Sequence, residues 1–95
     1  MRLVFEHFGV SMSLDDQFTD AQALVKTLTS RPSNEALLSL YALFKQATAG
    51  DVSGKKPGMF DLKGRAKYEA WSSKSGLSND QAKDEYIALV GTLTA

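Results

Sequence analysis

Residues 57–71 read PGMFDLKGRAKYEAW. Pro57-Gly58 marks a turn, and a short helix is expected after it, from about Leu62 to Ser73. Lys63, Arg65 and Lys67 alternate along this stretch with Met59, Phe60, Leu62, Tyr68 and Trp71. Lys63 and Lys67 lie one helical turn apart, as do Lys67 and Trp71. Leu62, Ala66 and Ala70 give the expected helix an apolar stripe, while Gly64 weakens it by roughly 1 kcal/mol relative to alanine. Cations interleaved with aromatics suit a ligand that has an anionic part, a flat ring and an apolar part.

Upstream of this stretch, Asp51 to Gly58 forms a loop rich in glycine and lysine. Before it, a helix is expected from about Asn34 to Ala49, with Ser33 as its cap and Gly50 as its left-handed terminator. Leu37, Leu40, Tyr41, Leu43, Phe44 and Ala47 spread over nearly half its circumference. Tyr41, Phe44 and Lys45 stand at i, i+3 and i+4 and share one face. An arc this wide suits core packing on one side and a ligand on the other. Taken without Lys45 and the neighbouring motif, the same aromatics read first as core. Pro32 breaks the chain before this helix. A first helix begins near Ser13, with Asp15 and Asp16 in its first turn and a stripe of Leu14, Phe18, Ala21, Val25 and Leu28. Downstream, Gly76 ends a turn, and Ser78 with Gln81 fits a capping box opening a last helix. Ala82, Tyr86, Leu89 or Val90, and Leu93 form its apolar face. Four amphipathic helices with short to medium connections make a small all-α four-helix bundle.

The chain has 95 residues, enough for one domain with a modest core and no metal or disulfide staple. It contains no cysteine, which excludes a disulfide framework and thiolate chemistry. Formal net charge is zero, which argues against nucleic acid as a partner. The charge is nonetheless uneven. Between Lys45 and Lys74, seven cations (Lys45, Lys55, Lys56, Lys63, Arg65, Lys67, Lys74) face three acids (Asp51, Asp61, Glu69). A basic patch on a neutral protein fits one small multivalent anion. No run approaches the roughly 20 apolar residues of a membrane span, and Glu6 interrupts the apolar start. Stable membrane insertion is therefore not expected, and the reading is a cytoplasmic protein. Residues 1–12 form an N-terminal extension, with the domain itself spanning residues 13–95. The single histidine, His7, lies in the extension, without a second imidazole or thiol to make a metal or catalytic site. No Ser–His–Asp set, HExxH motif or phosphate-binding glycine loop is present, so no catalytic residue, metal site or enzyme activity is expected.

The stretch 57–71 resembles the signature of the acyl-CoA-binding proteins, and YALFKQATAGD at residues 41–51 is similar to the same family's second helix and following loop. With weaker agreement elsewhere, the resemblance runs from about Phe18 to about Leu93. It implies an up-down-down-up order, with the longest loop joining the second and third helices and both motifs around one bowl-shaped site. It also implies a monomeric intracellular carrier and pool former for medium- to long-chain fatty acyl-CoA, with acyl-CoA-using enzymes as partners. Fatty acyl-CoA is then the ligand, and no cofactor is expected.

By position in the family pattern, Tyr41, Lys45 and Lys67 resemble the residues that hold the 3′-phosphate of coenzyme A. Phe44 stands beside the adenine, where the family often has tyrosine. Tyr86 resembles a further aromatic contact, Phe18 a residue lining the acyl groove, and Lys26 a basic contact to the head group. Lys63 joins them as a candidate ligand-binding residue. Tyr68 replaces the second tryptophan of the mammalian pattern, and Trp71 reads as core. The residue types match the chemistry. Ammonium groups and a phenol suit a terminal phosphate, since charge-assisted hydrogen bonds contribute about 1.5–3 kcal/mol each. Two other readings fit the residues: a helical interaction module that binds an acidic partner through its basic aromatic face, and an auxiliary domain that presents CoA to an enzyme on another chain.

Overall fold

The computed structural model describes residues 12–95, so the expected N-terminal extension, but for Met12, and its His7 lie outside the described residues. Four helices follow one another: α1 (Leu14–Val25), α2 (Asn34–Thr48), α3 (Leu62–Ser72) and α4 (Asn79–Thr94), with no strand among the described residues. Their starts are set by local chemistry. The Ser13, Ser33 and Ser78 hydroxyls accept from the backbone N–H groups of Asp16, Ala36 and Gln81, and Asp61 accepts from Gly64. At α4 the Gln81 side chain returns the bond to the Ser78 N–H, completing the capping box. Gly50 follows α2 at φ +85°, a conformation in which glycine has no Cβ penalty.

Side-chain pairs fix the direction of each helix. Phe18 meets Tyr86 with ring centroids 5.0 Å apart, and Asp15 pairs with Lys83, so α1 and α4 run parallel. Phe18 also stacks on Phe44 near the far end of α2, which makes α2 antiparallel to both. On the other flank of α2, the Lys67 ammonium lies over the Tyr41 ring and the Lys45 ammonium over the Trp71 ring, so α3 runs parallel to α2. The order is up-down-down-up, as the resemblance implied. Helix α4 packs on α1 and α2, whereas α3 packs on α2 alone.

The core lies among α1, α2 and α4: Phe18, Ala21, Leu40, Leu43, Ala47, Ala82, Tyr86 and Val90. Burying a large apolar side chain contributes about 1.5–3 kcal/mol, so these helices are joined mainly by apolar contact. One polar network closes the end of the bundle. Gln46, fully buried, donates through Nε2 to Asp51 Oδ1 at 2.8 Å and to the Leu77 carbonyl at 2.9 Å. Asn79 Nδ2 donates to the Gln46 and Ala47 carbonyls, satisfying acceptors that the end of α2 leaves open. Neither Gln46 nor the buried Ala42 belonged to the apolar arc read from the sequence.

Helix α3 corrects the expected stripe. Leu62 is 75% exposed, Ala66 and Ala70 are half-buried, and Trp71 is the buried residue of this helix. The physical reason is that α3 has one neighbour, so only its later turns press against α2, and Leu62 at its first position extends beyond the contact.

Candidate functional site

A cavity of about 580 Å³ opens between the first half of α2 and the first half of α3. Its apolar lining is Leu37 and Leu38 from α2 with Leu62 and Ala66 from α3; its polar lining is Arg31, Asn34, Tyr41, Lys63 and Lys67. The volume lies within the range of sites that take small organic molecules. Three cations line it and no carboxylate does. That asymmetry favours an anion, and the adjoining leucines favour an apolar group beside it.

Local spacing explains how the chain builds this site. Lys63 and Lys67 are one turn apart on α3 and present two ammonium groups on one side, with Ala66 between them. The Lys67 ammonium lies 5.3 Å from the Tyr41 ring centroid, which draws the hydroxyl-bearing ring and the cation into one place. Arg31 is fixed from the chain just before α2 by donating through Nη1 to Asn34 Oδ1 at 3.0 Å. Lys45, one turn beyond Tyr41, lies with its ammonium 4.8 Å from the Trp71 ring centroid, next to the cavity lining and outside it.

The expected site residues thus separate. Tyr41, Lys63 and Lys67 meet in the cavity. Phe18 and Phe44 line a second cleft, of about 510 Å³, together with Thr19, Gln22, Thr48 and the Asp15–Lys83 pair. Phe44 is 37% exposed there, whereas Phe18 and Tyr86 are each 5% exposed. The three rings form a row, Phe44 stacked on Phe18 at 6.0 Å and Phe18 edge-on to Tyr86. Burial pushes the Tyr86 phenol above its ordinary pKa. Lys26 is exposed just past the end of α1 and lines neither cleft.

The other polar and aromatic members of residues 57–71 do a different job. Arg65 Nη1 donates to the Pro57 carbonyl at 3.1 Å, the Tyr68 hydroxyl to the Gly54 carbonyl at 3.2 Å, and Trp71 Nε1 to the Gly50 carbonyl at 2.8 Å. Residues 65, 68 and 71 share one helical face, and that face straps the α2–α3 loop in place. Trp71, read as core, is buried and also anchors the loop. Sequence reading had missed Arg31, Asn34, Leu37 and Leu38 as cavity residues. Arg31 and Asn34 carry no local mark of such a role, while Leu37 and Leu38 fall inside an apolar arc wider than one helix contact requires.

Comparison with known proteins agrees with this fold. The sequence model of the family described as acyl CoA binding protein matches residues 15–90. A Caenorhabditis elegans protein named acyl-CoA-binding protein homolog 1 is 60% identical over 78 residues, covering 82% of this chain and 91% of its own. The acyl-CoA-binding protein of Saccharomyces cerevisiae is 49% identical over 78 residues, covering 82% and 90%. The crystal structure of Oryza sativa acyl-CoA-binding protein 2 superposes with a TM-score of 0.82 at 42% identity, covering 85% of this chain and 90% of that one. With the fold and likeness along most of the sequence in agreement, the chain belongs to the acyl-CoA-binding protein family.

Proposed function

We propose that this protein binds medium- to long-chain fatty acyl-CoA reversibly, as a monomeric cytoplasmic carrier that pools the ester and hands it to acyl-CoA-using enzymes. The supporting observation is the composition of the cavity: Arg31, Lys63, Lys67 and Tyr41 beside Leu37, Leu38, Leu62 and Ala66, with no carboxylate in the lining. The names of the relatives point to the same ligand.

In this reading Tyr41, Lys45 and Lys67 hold the 3′-phosphate. The Lys67 ammonium is already beside the Tyr41 ring, and Lys45 reaches across from Trp71 on a flexible four-carbon stem. Lys63 and Arg31 add positive potential, and exposed Lys26 contributes more distantly. The exposed ring of Phe44, at i+3 from Tyr41 and next to Lys45 on α2, is the surface for the adenine, so that the nucleotide crosses the exposed edge of α2 between the two clefts, with Phe18 stacked behind that ring. The thioester is bound and released unchanged; no residue is assigned a chemical step.

Calorimetric titration with palmitoyl-CoA, free CoA and palmitate tests the reading. Palmitoyl-CoA should bind far more tightly than either fragment, because each fills only part of the site. Each buried methylene contributes up to about 0.8 kcal/mol, so affinity should rise with acyl length until the groove is full. Lys67→Ala should weaken palmitoyl-CoA roughly ten- to a hundredfold, the equivalent of one charge-assisted bond. Removing the 3′-phosphate should weaken the wild type strongly and that variant much less. Equal wild-type affinity for the full and dephosphorylated ligands would sink the phosphate assignment, and no binding of palmitoyl-CoA would sink the function.

A further inference from the structure

The α2–α3 loop ends in a tight turn from Gly58 to Asp61, closed by the Asp61 N–H donating to the Gly58 carbonyl at 3.0 Å. The two central positions of such a turn are usually small or polar. Here they are Met59 and Phe60, 70% and 93% exposed, and Leu62 beside them is 75% exposed. Three large apolar side chains therefore stand together in solvent at one apex. Exposed groups of this kind mark interaction sites. The apex is also held in shape from behind, because Arg65 bonds to Pro57 and Tyr68 to Gly54.

We propose that this turn is a peripheral docking point for an anionic lipid bilayer, with Met59, Phe60 and Leu62 entering the interface. Charge complementarity names the partner. Residues 52–69 contain five cations, Lys55, Lys56, Lys63, Arg65 and Lys67, against two carboxylates, Asp61, which caps α3, and Glu69, which pairs with Lys56 at 3.0 Å, so the turn keeps an excess of three positive charges. Lys55 and Lys63, which flank the turn in the chain, are exposed and, unlike Lys56, form no ion pair among the described residues. Apolar side chains bordered by lysines are what a headgroup region with negative surface potential attracts. A convex apex needs no complementary pocket in a bilayer. Three side chains also fall far short of the roughly 20–30 residues a side of a stable protein interface, which disfavours a protein or a second copy as the occupant. Such docking is reversible and uses no spanning helix; none is long and apolar enough to cross a membrane among the described residues. Leu62 and Lys63 belong both to the apex and to the cavity lining, so docking brings the cavity mouth to the lipid surface. That consequence for delivery rests on the proposed function, whereas the docking itself does not.

Vesicle co-sedimentation of the full chain tests the proposal, using phosphatidylcholine alone and phosphatidylcholine containing phosphatidylserine, with no acyl-CoA added. The protein should bind the anionic vesicles more tightly. Binding should weaken on raising salt from about 0.1 M to about 1 M, which shortens the Debye length from about 10 to about 3 Å. The double variant M59S/F60S should lose at least about tenfold in vesicle affinity, and Lys55→Gln about fivefold. M59S/F60S should keep its solution affinity for palmitoyl-CoA within about threefold, as exposed substitutions outside the cavity lining do. The proposal is overturned by wild-type protein that ignores anionic vesicles, or by M59S/F60S binding them as the wild type does. Loss of palmitoyl-CoA binding in M59S/F60S would overturn it too, placing the turn in the ligand site. A dimer in sedimentation equilibrium that this variant disperses would assign the apex to a second copy instead. Vesicle binding by a protein that does not take palmitoyl-CoA would uphold the docking and remove the acyl-CoA reading alone.

Discussion

The two flanks of α2 are built differently. On one, α1 and α4 pack through Phe18, Leu40, Leu43, Tyr86 and Val90, all at most 7% exposed. On the other, α3 buries Trp71 and is otherwise tied by hydrogen bonds from Arg65, Tyr68 and Trp71 to the loop backbone and by two lysines lying over aromatic rings. The first flank is apolar and packed through its centre, with the cleft at Phe18 and Phe44 at its rim. The second is polar and partly open, and it carries the cavity. The chain thus keeps its apolar packing and its cationic cavity on opposite sides of one helix.

Breaking the packed flank should have the largest effect. Phe18→Ala removes a ring that touches both Phe44 and Tyr86, and it should lower unfolding free energy by about 3–5 kcal/mol in chemical denaturation. A loss under about 1 kcal/mol would mean that α1 and α4 are not held through that ring.

The open flank should respond less. Trp71→Phe keeps most of the apolar ring and removes the donor to Gly50, leaving a half-buried carbonyl without its partner, for about 1–3 kcal/mol. In the wild type, native-state hydrogen exchange should find the amides of α3 opening at lower free energy than those of α2 and α4. Equal protection would abolish the contrast.

A pH series sharpens the comparison at the closed end of the bundle. The Gly76 N–H and then the Gln46 side chain hold the Asp51 carboxyl below its ordinary pKa. A group with a depressed folded-state pKa gives stability that is present above its unfolded value, about 3.9, and lost as pH falls through the folded value. Asp51→Asn should therefore be less stable than the wild type near neutrality. The difference should shrink steadily below about pH 4 as the wild-type carboxyl protonates. Thermal melts from pH 7 downward check this, and a gap that stays constant across the series contradicts it.

The smallest effect is expected at Gly64. Alanine there gains about 0.8–1.0 kcal/mol in helix propensity, but its Cβ would overlap the Asp61 carboxylate that caps α3, and losing a cap costs about 0.5–2 kcal/mol. The two should nearly cancel, leaving Gly64→Ala within about 1 kcal/mol of wild type by thermal melting. A clear gain would show the cap to be dispensable.

Short-range chemistry made the helices legible from the sequence. Ser13, Ser33, Ser78 with Gln81, and Gly50 mark helix ends through bonds that span a few residues, so the boundaries read from them agree with the structure to within about one residue. The core positions Phe18, Leu40, Leu43, Ala82 and Val90 followed from helical periodicity for the same reason. Of the residues assigned to the ligand, Tyr41, Lys63 and Lys67 stand together at the cavity because their spacing on two adjacent helices already aligned them. Only the tertiary structure decided the remainder. Within residues 57–71, cations and aromatics alternate evenly, yet Lys63 and Lys67 face the cavity while Arg65, Tyr68 and Trp71 hold the loop. Periodicity places residues on faces of a helix but does not say what each face meets. Helix α3 has a single neighbour, so its faces look respectively at α2, at the loop and at the cavity, and that division arises only when the chain packs.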